Sequence, residues 1–156
     1  MRRRRVPCYR AAGGLRPIRV RETPSVRRVW CIGYSGRSIE EFLERLRENR
    51  IELVVDVRRF PVSKVEAYRR NRLAEILARD GIAYLWLGDL LGGYRTGGFE
   101  KYMKTDDFKR GLQRLIEEAV VRRTCIMCLE RKQRYCHRRF IAKALEEEGF
   151  EVLEIP

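Results

Sequence analysis

VWCIGYSGRSIEEFLERLRENRIELVVDV, residues 29–57, carries the pattern that decides the fold. Val29 to Gly33 is a short apolar run of strand length. Ser38-Ile39-Glu40-Glu41 fits a capping box, after which Phe42, Leu43 and Leu46 keep a helical stripe. Leu53 to Val57 is a second apolar run, stopped by Pro61. Strand, helix, strand is the signature of a chain that crosses over and lays its next strand parallel to the last.

The alternation continues outward. A helix is expected around Arg72 to Arg79, with Leu73, Ile76 and Leu77 inward and an end near Gly81. Ala83 to Leu87 reads as a third strand. A glycine-rich stretch with Gly88, Gly92, Gly93, Gly97 and Gly98 follows, a candidate lid. After a short turn near Phe99 to Met103, a helix opens near Thr105-Asp106 and runs to about Ala119. Cys125 to Leu129 is the fourth strand, His137 to Glu148 the next helix, and Glu151 to Ile155 the fifth strand. The expected fold class is α/β, a single domain with a mainly parallel five-stranded sheet and helices on both faces.

The 156 residues carry a net charge of +13, unevenly placed. Residues 1–28 hold ten Arg and one Glu, whereas the remaining 128 hold 25 basic and 21 acidic groups. The expected organisation is therefore a basic N-terminal tail over 1–28, loosely packed, and an α/β domain over 29–156. An Arg-rich arm suits phosphate binding through counterion release. No run of 18 apolar residues exists, and the Arg-rich start lacks the apolar centre of a secretory signal. A cytoplasmic protein without a membrane role is expected, its five cysteines held as thiols. The charged fraction of 37% is compatible with a heat-loving source.

Ligands of parallel sheets bind beyond the carboxyl ends of the strands. That rule brings together Tyr34-Ser35-Gly36-Arg37, then Asp56 and Arg58, then the glycine stretch, then Cys128 through Arg138. Cys136 opens a helix beside His137, with Arg134, Arg138 and Arg139 near, a setting that favours a thiolate. It is either a nucleophile, alone or paired with Cys128, or a small buried hydrophobe stacked above Phe140 and Ala144 at helical spacing. His137 suits general acid–base work or a helix-start hydrogen bond. Glu130, two residues past Cys128, is an acid or base, or pins an arginine. Asp56 interrupts an apolar strand, where a carboxylate needs a partner; Arg58 stands one strand period away. Arg58 and Arg138 are candidate anion contacts.

Cys125, Cys128, Cys136 and His137 offer four soft ligands, but residues three apart on a strand point to opposite faces. Cys125 is thus expected in the core and no metal ligand is assigned, although a centre of Cys128, Cys136 and His137 stands as an alternative. Cys128-x5-Arg134 has the spacing of phosphate-cradling loops in cysteine phosphatases and sulfurtransferases, yet its loop lacks glycine and Glu130 would repel an anion.

IGYSGRSIEEFLERL (32–46), VVDVRRFP (54–61) with Ser63, the Gly pair of Leu91-Gly92-Gly93, Phe99 with KYM (101–103), MCLE (127–130) and CHRRFIAKAL (136–145) together resemble the family catalogued as domain of unknown function 488. The resemblance runs from about Val29 to Ile155. It implies a single α/β domain and brings no established activity. The family pattern maps onto Gly33, Ser35, Asp56, Arg58, Pro61, Gly92, Gly93, Cys128, Glu130, Cys136, His137 and Arg138. Tyr34 stands where a histidine is frequent, and SKVEAYRRN (63–71) departs from the usual stretch.

The resulting expectation is an enzyme with Cys136, Cys128, His137 and Glu130 as catalytic groups. Arg138, Arg58, Asp56, Ser35, Gly92 and Gly93 form its ligand site, and the ligand is anionic, phosphorylated or nucleotide-like. The alternatives are a nucleic-acid-associated binding module, a Cys/His metal protein, and a rhodanese-like sulfur or phosphoryl transferase. Cofactor and oligomeric state are left open.

Overall fold

A computed structural model describes residues 27–132 and 136–156. The basic tail through residue 26, with Cys8, and residues 133–135, with Arg134 and its phosphate-loop spacing, lie outside the described residues. Among those described, no helix is long and apolar enough to cross a membrane.

Five strands form one sheet: β1 (Arg27–Gly33), β2 (Leu53–Asp56), β3 (Ala83–Trp86), β4 (Thr124–Cys128) and β5 (Phe150–Glu154). Their order is β3-β2-β4-β1-β5 and every pairing is parallel. The sheet is thus the single α/β layer expected, with no antiparallel member among the described strands. β1 begins at Arg27, ahead of the expected Val29.

Alternation along each strand divides the core in two. Val29, Cys31, Leu53, Val55, Ile126 and Cys128 point to one face. Trp30, Ile32, Val54, Cys125 and Met127 point to the other. On the second face lie helices α1 (Ile39–Glu48) and α2 (Arg70–Arg79), through Phe42, Leu46, Leu73 and Leu77. The first face is covered by α5 (Asp106–Ala119) and α6 (Arg138–Glu147), through Phe108, Leu115, Ile141 and Leu145. Two one-turn helices, α3 (Gly88–Leu91) and α4 (Phe99–Tyr102), precede α5. Cys125 and Cys128 fall on opposite faces, as the strand period requires.

Local signals set the helix starts. Ser38 caps α1 by accepting the Glu41 backbone N–H at 3.1 Å. The Glu41 carboxylate turns instead to Arg37, 3.0 Å away. Thr105 caps α5 by accepting from the Phe108 N–H at 3.3 Å. The stretch expected as a lid is partly packed structure: α3 lies within it, and Gly92 and Gly93 are buried.

The strand order creates the crevice. After β1 the chain turns to the α1 face, and after the adjacent β4 it turns to the α6 face. Loops leaving neighbouring strands in opposite directions open a gap beyond their carboxyl ends. Cys128 closes β4 at that gap, paired in register with Gly33 of β1.

Candidate functional site

A cleft of about 310 Å³ occupies the gap. Its lining includes Tyr34, Arg58, Gly93, Cys128, Glu130, Cys136 and His137, with Arg59, Phe60, Val62, Tyr94 and Leu129 toward solvent. Four separate pieces of sequence therefore meet at one place. Gly33 permits the closest approach: a methyl group there would lie 1.8 Å from the Glu130 carbonyl oxygen. The β1 and β4 loops are then latched by Tyr34 and Ser35 backbone N–H groups, which donate to Cys128 and Leu129 carbonyls at 3.1 and 2.9 Å.

Cys136 and His137 stand at the entry to α6. The His137 Nε2 lies 3.1 Å from the Val57 carbonyl, which can only accept, so Nε2 carries a proton. Nδ1 is left facing the Cys136 sulfur at 3.6 Å. One proton can then sit either on the sulfur or on Nδ1, giving thiol with imidazole or thiolate with imidazolium. Phe99 packs beside the ring at 5.5 Å between centroids, and Gly93 borders it on the cleft side. These contacts hold the imidazole in one orientation.

Cys128 and Cys136 are both buried and divide their protonation unequally. Cys136 is lowered well below the ordinary thiol range, first by a hydrogen bond from the Cys128 thiol and then by His137, which together outweigh burial. Cys128 is correspondingly raised, by giving that hydrogen bond and by burial. The Arg138 charge acts to lower Cys128, and the Arg138 backbone N–H acts to lower Cys136. The Arg138 side chain is fully buried and donates to the Glu130 carbonyl, while Nε and one NH group have no hydrogen-bond partner among the described residues. A guanidinium in such a place is stabilised by a nearby anion, and the Cys136 thiolate is suited to supply one.

The remaining thiols serve the core. Burial pushes Cys31 up to about 12 and raises Cys125 as well. Neither opens on the cleft.

Arg58 forms the opposite wall. Its Nε and NH2 groups hold the two Asp56 carboxylate oxygens at 2.9 and 2.8 Å, and its backbone N–H adds a third bond at 3.0 Å. Tyr84 donates its hydroxyl to the same carboxylate at 2.5 Å. Burial and the Asp56 charge raise the Tyr84 phenol, which keeps it a donor. Above the guanidinium lies the Tyr34 ring, 5.1 Å from its carbon to the ring centre, itself stacked on Tyr68 at 4.4 Å. One Arg58 nitrogen, NH1, is buried and has no hydrogen-bond partner among the described residues. The guanidinium is thus held in the cleft wall by Asp56 on one edge and by the Tyr34 ring above it.

Among the residues expected from sequence, Cys128, Cys136, His137, Glu130, Arg58 and Gly93 share the cleft. Asp56 stands behind Arg58, fully buried, and Arg138 lies beneath the thiols rather than in the opening. Ser35 and Gly92 do not line the cleft; Ser35 contributes a backbone N–H to the latch. The carbonyl of Glu130, not its carboxylate, meets Arg138. Tyr34 is buried between Tyr68 and Arg58 and has no free face to offer.

Sequence reasoning missed Tyr84, the Val57 carbonyl, Arg59 and Phe60. A buried carboxylate announces that donors are needed, but only the pairing of β2 with β3, Val54 beside Tyr84, identifies that phenol.

The sulfurs of Cys128 and Cys136 and a ring nitrogen of His137 lie within 4.8 Å of one another, a donor set able to hold one soft cation. No curated protein and no solved structure shows a significant match to this chain. The family described as Domain of unknown function DUF488 matches residues 38–145, more than half of the chain, and the protein belongs to it.

Proposed function

We propose that this protein is an enzyme that uses Cys136 as a thiolate nucleophile on an anionic, phosphorylated or nucleotide-like substrate. The single observation that carries the reading is the Cys128–Cys136–His137 cluster opening on the same cleft that Arg58 lines. In this reading the Cys136 sulfur lone pair forms the new bond to an electrophilic centre. The leaving group departs with its bonding electrons and takes the proton carried by His137 Nδ1. Arg58 holds the substrate anion, while Arg138 steadies the thiolate from below. Glu130, exposed at the rim, exchanges protons with entering water. The same groups serve sulfur or phosphoryl transfer equally well, and substrate and reaction class follow from experiment.

Inorganic pyrophosphate is expected to slow alkylation of Cys136 by iodoacetamide at low salt, because an anion on Arg58 covers the sulfur. An unchanged rate over a pyrophosphate series refutes the shared site.

A second reading, a Cys/His metal centre, is supported by the convergence of three donors and by the Nε2 contact to a backbone carbonyl, the usual orienting contact of a ligating imidazole. Elemental analysis of protein purified without affinity metal separates the two. One equivalent of zinc, with alkylation appearing only after chelation, favours the metal centre.

A further inference from the structure

We infer that the mouth of the cleft binds a nucleotide unit of single-stranded nucleic acid, its base stacked on Tyr94 and Phe60 and its phosphate held by Arg59. The inference deepens the proposed function, on which it rests for the identity of the substrate cleft.

Exposed apolar side chains gather at this mouth. Among the described residues seven large hydrophobics are exposed, and four of them, Phe60, Val62, Tyr94 and Leu129, line the cleft. Tyr94 is 87% exposed and Phe60 61%, with ring centres 6.4 Å apart. A tyrosine left almost wholly in water gains nothing for folding.

Its backbone adds a second observation. Tyr94 has φ of 59°, one of two non-glycine residues among those described with positive φ. The other, Arg50, follows the end of α1, where a left-handed residue is an ordinary helix ending. Tyr94 has no such reason, and a bulky side chain is strained there. The chain thus spends conformational energy to present an aromatic ring to solvent.

Arg59 ties the two rings together. Its guanidinium lies 5.4 Å from the Phe60 ring centre, and NH1 donates to the Tyr94 carbonyl. That acceptor is neutral, so the charge stays available. Elsewhere Arg28, Arg47, Arg72, Arg114 and Arg122 pair with carboxylates. Ring faces interleaved with an unneutralised guanidinium match a base and its phosphate. A duplex keeps its base faces inside the stack and has none to offer these rings; a single strand does. The rings stand on the rim of the cleft, largely exposed.

Fluorescence anisotropy with labelled oligothymidylate and oligouridylate of about ten nucleotides, across a salt series on the full chain, tests the inference. Expected is binding tighter than that of a hairpin duplex of equal charge. Tyr94→Gly and Phe60→Ala are each expected to weaken it by about fivefold or more. Arg59→Ala is expected to lower the slope of log affinity against log salt by about one. Glycine prefers the backbone conformation held at Tyr94, so Tyr94→Gly is expected to unfold at the parent temperature or above, which excludes misfolding as the cause of lost affinity.

Rim variants that bind like the parent would assign the binding to the Arg-rich tail and overturn the inference. Equal affinity for duplex would overturn it, and so would displacement of the oligonucleotide by equimolar uridine or thymidine monophosphate. Should Cys136 prove activated while these binding results fail, this inference falls alone. Should binding hold with ordinary thiols, the enzyme reading falls alone.

Discussion

Alkylation of Cys136 by iodoacetamide is expected to proceed at a nearly constant rate from about pH 6 to pH 9, whereas an ordinary cysteine accelerates about tenfold per unit up to its pKa near 8.5. The sign follows from the proton count. A lowered pKa means that the reactive thiolate is already formed throughout that range, so adding base creates no more of it. At pH 6.5 only about one free thiol in a hundred is ionised, so the thiolate fraction of Cys136 exceeds it by about a hundredfold. Burial slows entry of the reagent at every pH equally and leaves the shape of the profile intact.

Cys128→Ala removes the hydrogen bond that contributes most to this lowering, and the profile should then acquire a midpoint inside the measured range. Cys31, pushed up to about 12 by burial, serves as an internal unreactive reference. Peptide-resolved mass spectrometry reads each thiol separately. A parent profile that climbs with pH as free cysteine does would end the assignment of Cys136 as nucleophile.

Asp56→Ala is expected to destabilise the domain by about 3–5 kcal/mol, because it strands the Arg58 guanidinium in a buried position without a counter-charge. Arg58 is only 5% exposed and cannot reach water without leaving its place over Tyr34. Tyr84 would lose its acceptor in the same step. The double change Asp56→Leu with Arg58→Met removes both charges and is expected to recover most of the loss. Urea denaturation measures this as a fall in midpoint with unchanged slope, partly restored in the double variant. A single-variant loss no larger than about 0.5 kcal/mol, the size of a surface change, would show that the pair does not anchor the wall of the cleft. Together the two experiments separate a group placed for reaction from a pair that holds the wall.

Much of the architecture was readable because its signals are local. β1, β2 and β4 are unbroken apolar runs, and all their residues beyond Arg28 are buried. Ser38 and Thr105 cap helices by contacts only three residues long. α3 escaped notice and α4 was read only as a short turn, because a single helical turn is too short to be stable by itself and leaves no periodic stripe. Contacts from elsewhere hold them, such as the Tyr102 hydroxyl donating to the Leu90 carbonyl at 2.7 Å and Arg95 Nε donating to the Gly92 carbonyl at 2.9 Å. Glycines that suggested a mobile lid are partly there for packing.

The site divided in the same way. Arg58 was expected beside Asp56, since residues two apart on an extended chain share a side. Cys128, Cys136 and His137 were expected at one rim from the rule for parallel sheets. Tyr34 is a buried loop aromatic, and no sequence mark tells such a ring from a free one. Tyr94, in a similar loop, is the exposed member of the two.

Strands, helices and the sheet edge at which the cleft opens were thus contained in the order of the residues, because apolar periodicity and capping act over a few positions. Which thiol donates a hydrogen bond to the other, which phenol completes the Asp56 carboxylate, and which aromatic faces solvent were settled by folding. Those pairings join positions far apart in the chain, and they depend on strand order and register, which no local pattern encodes.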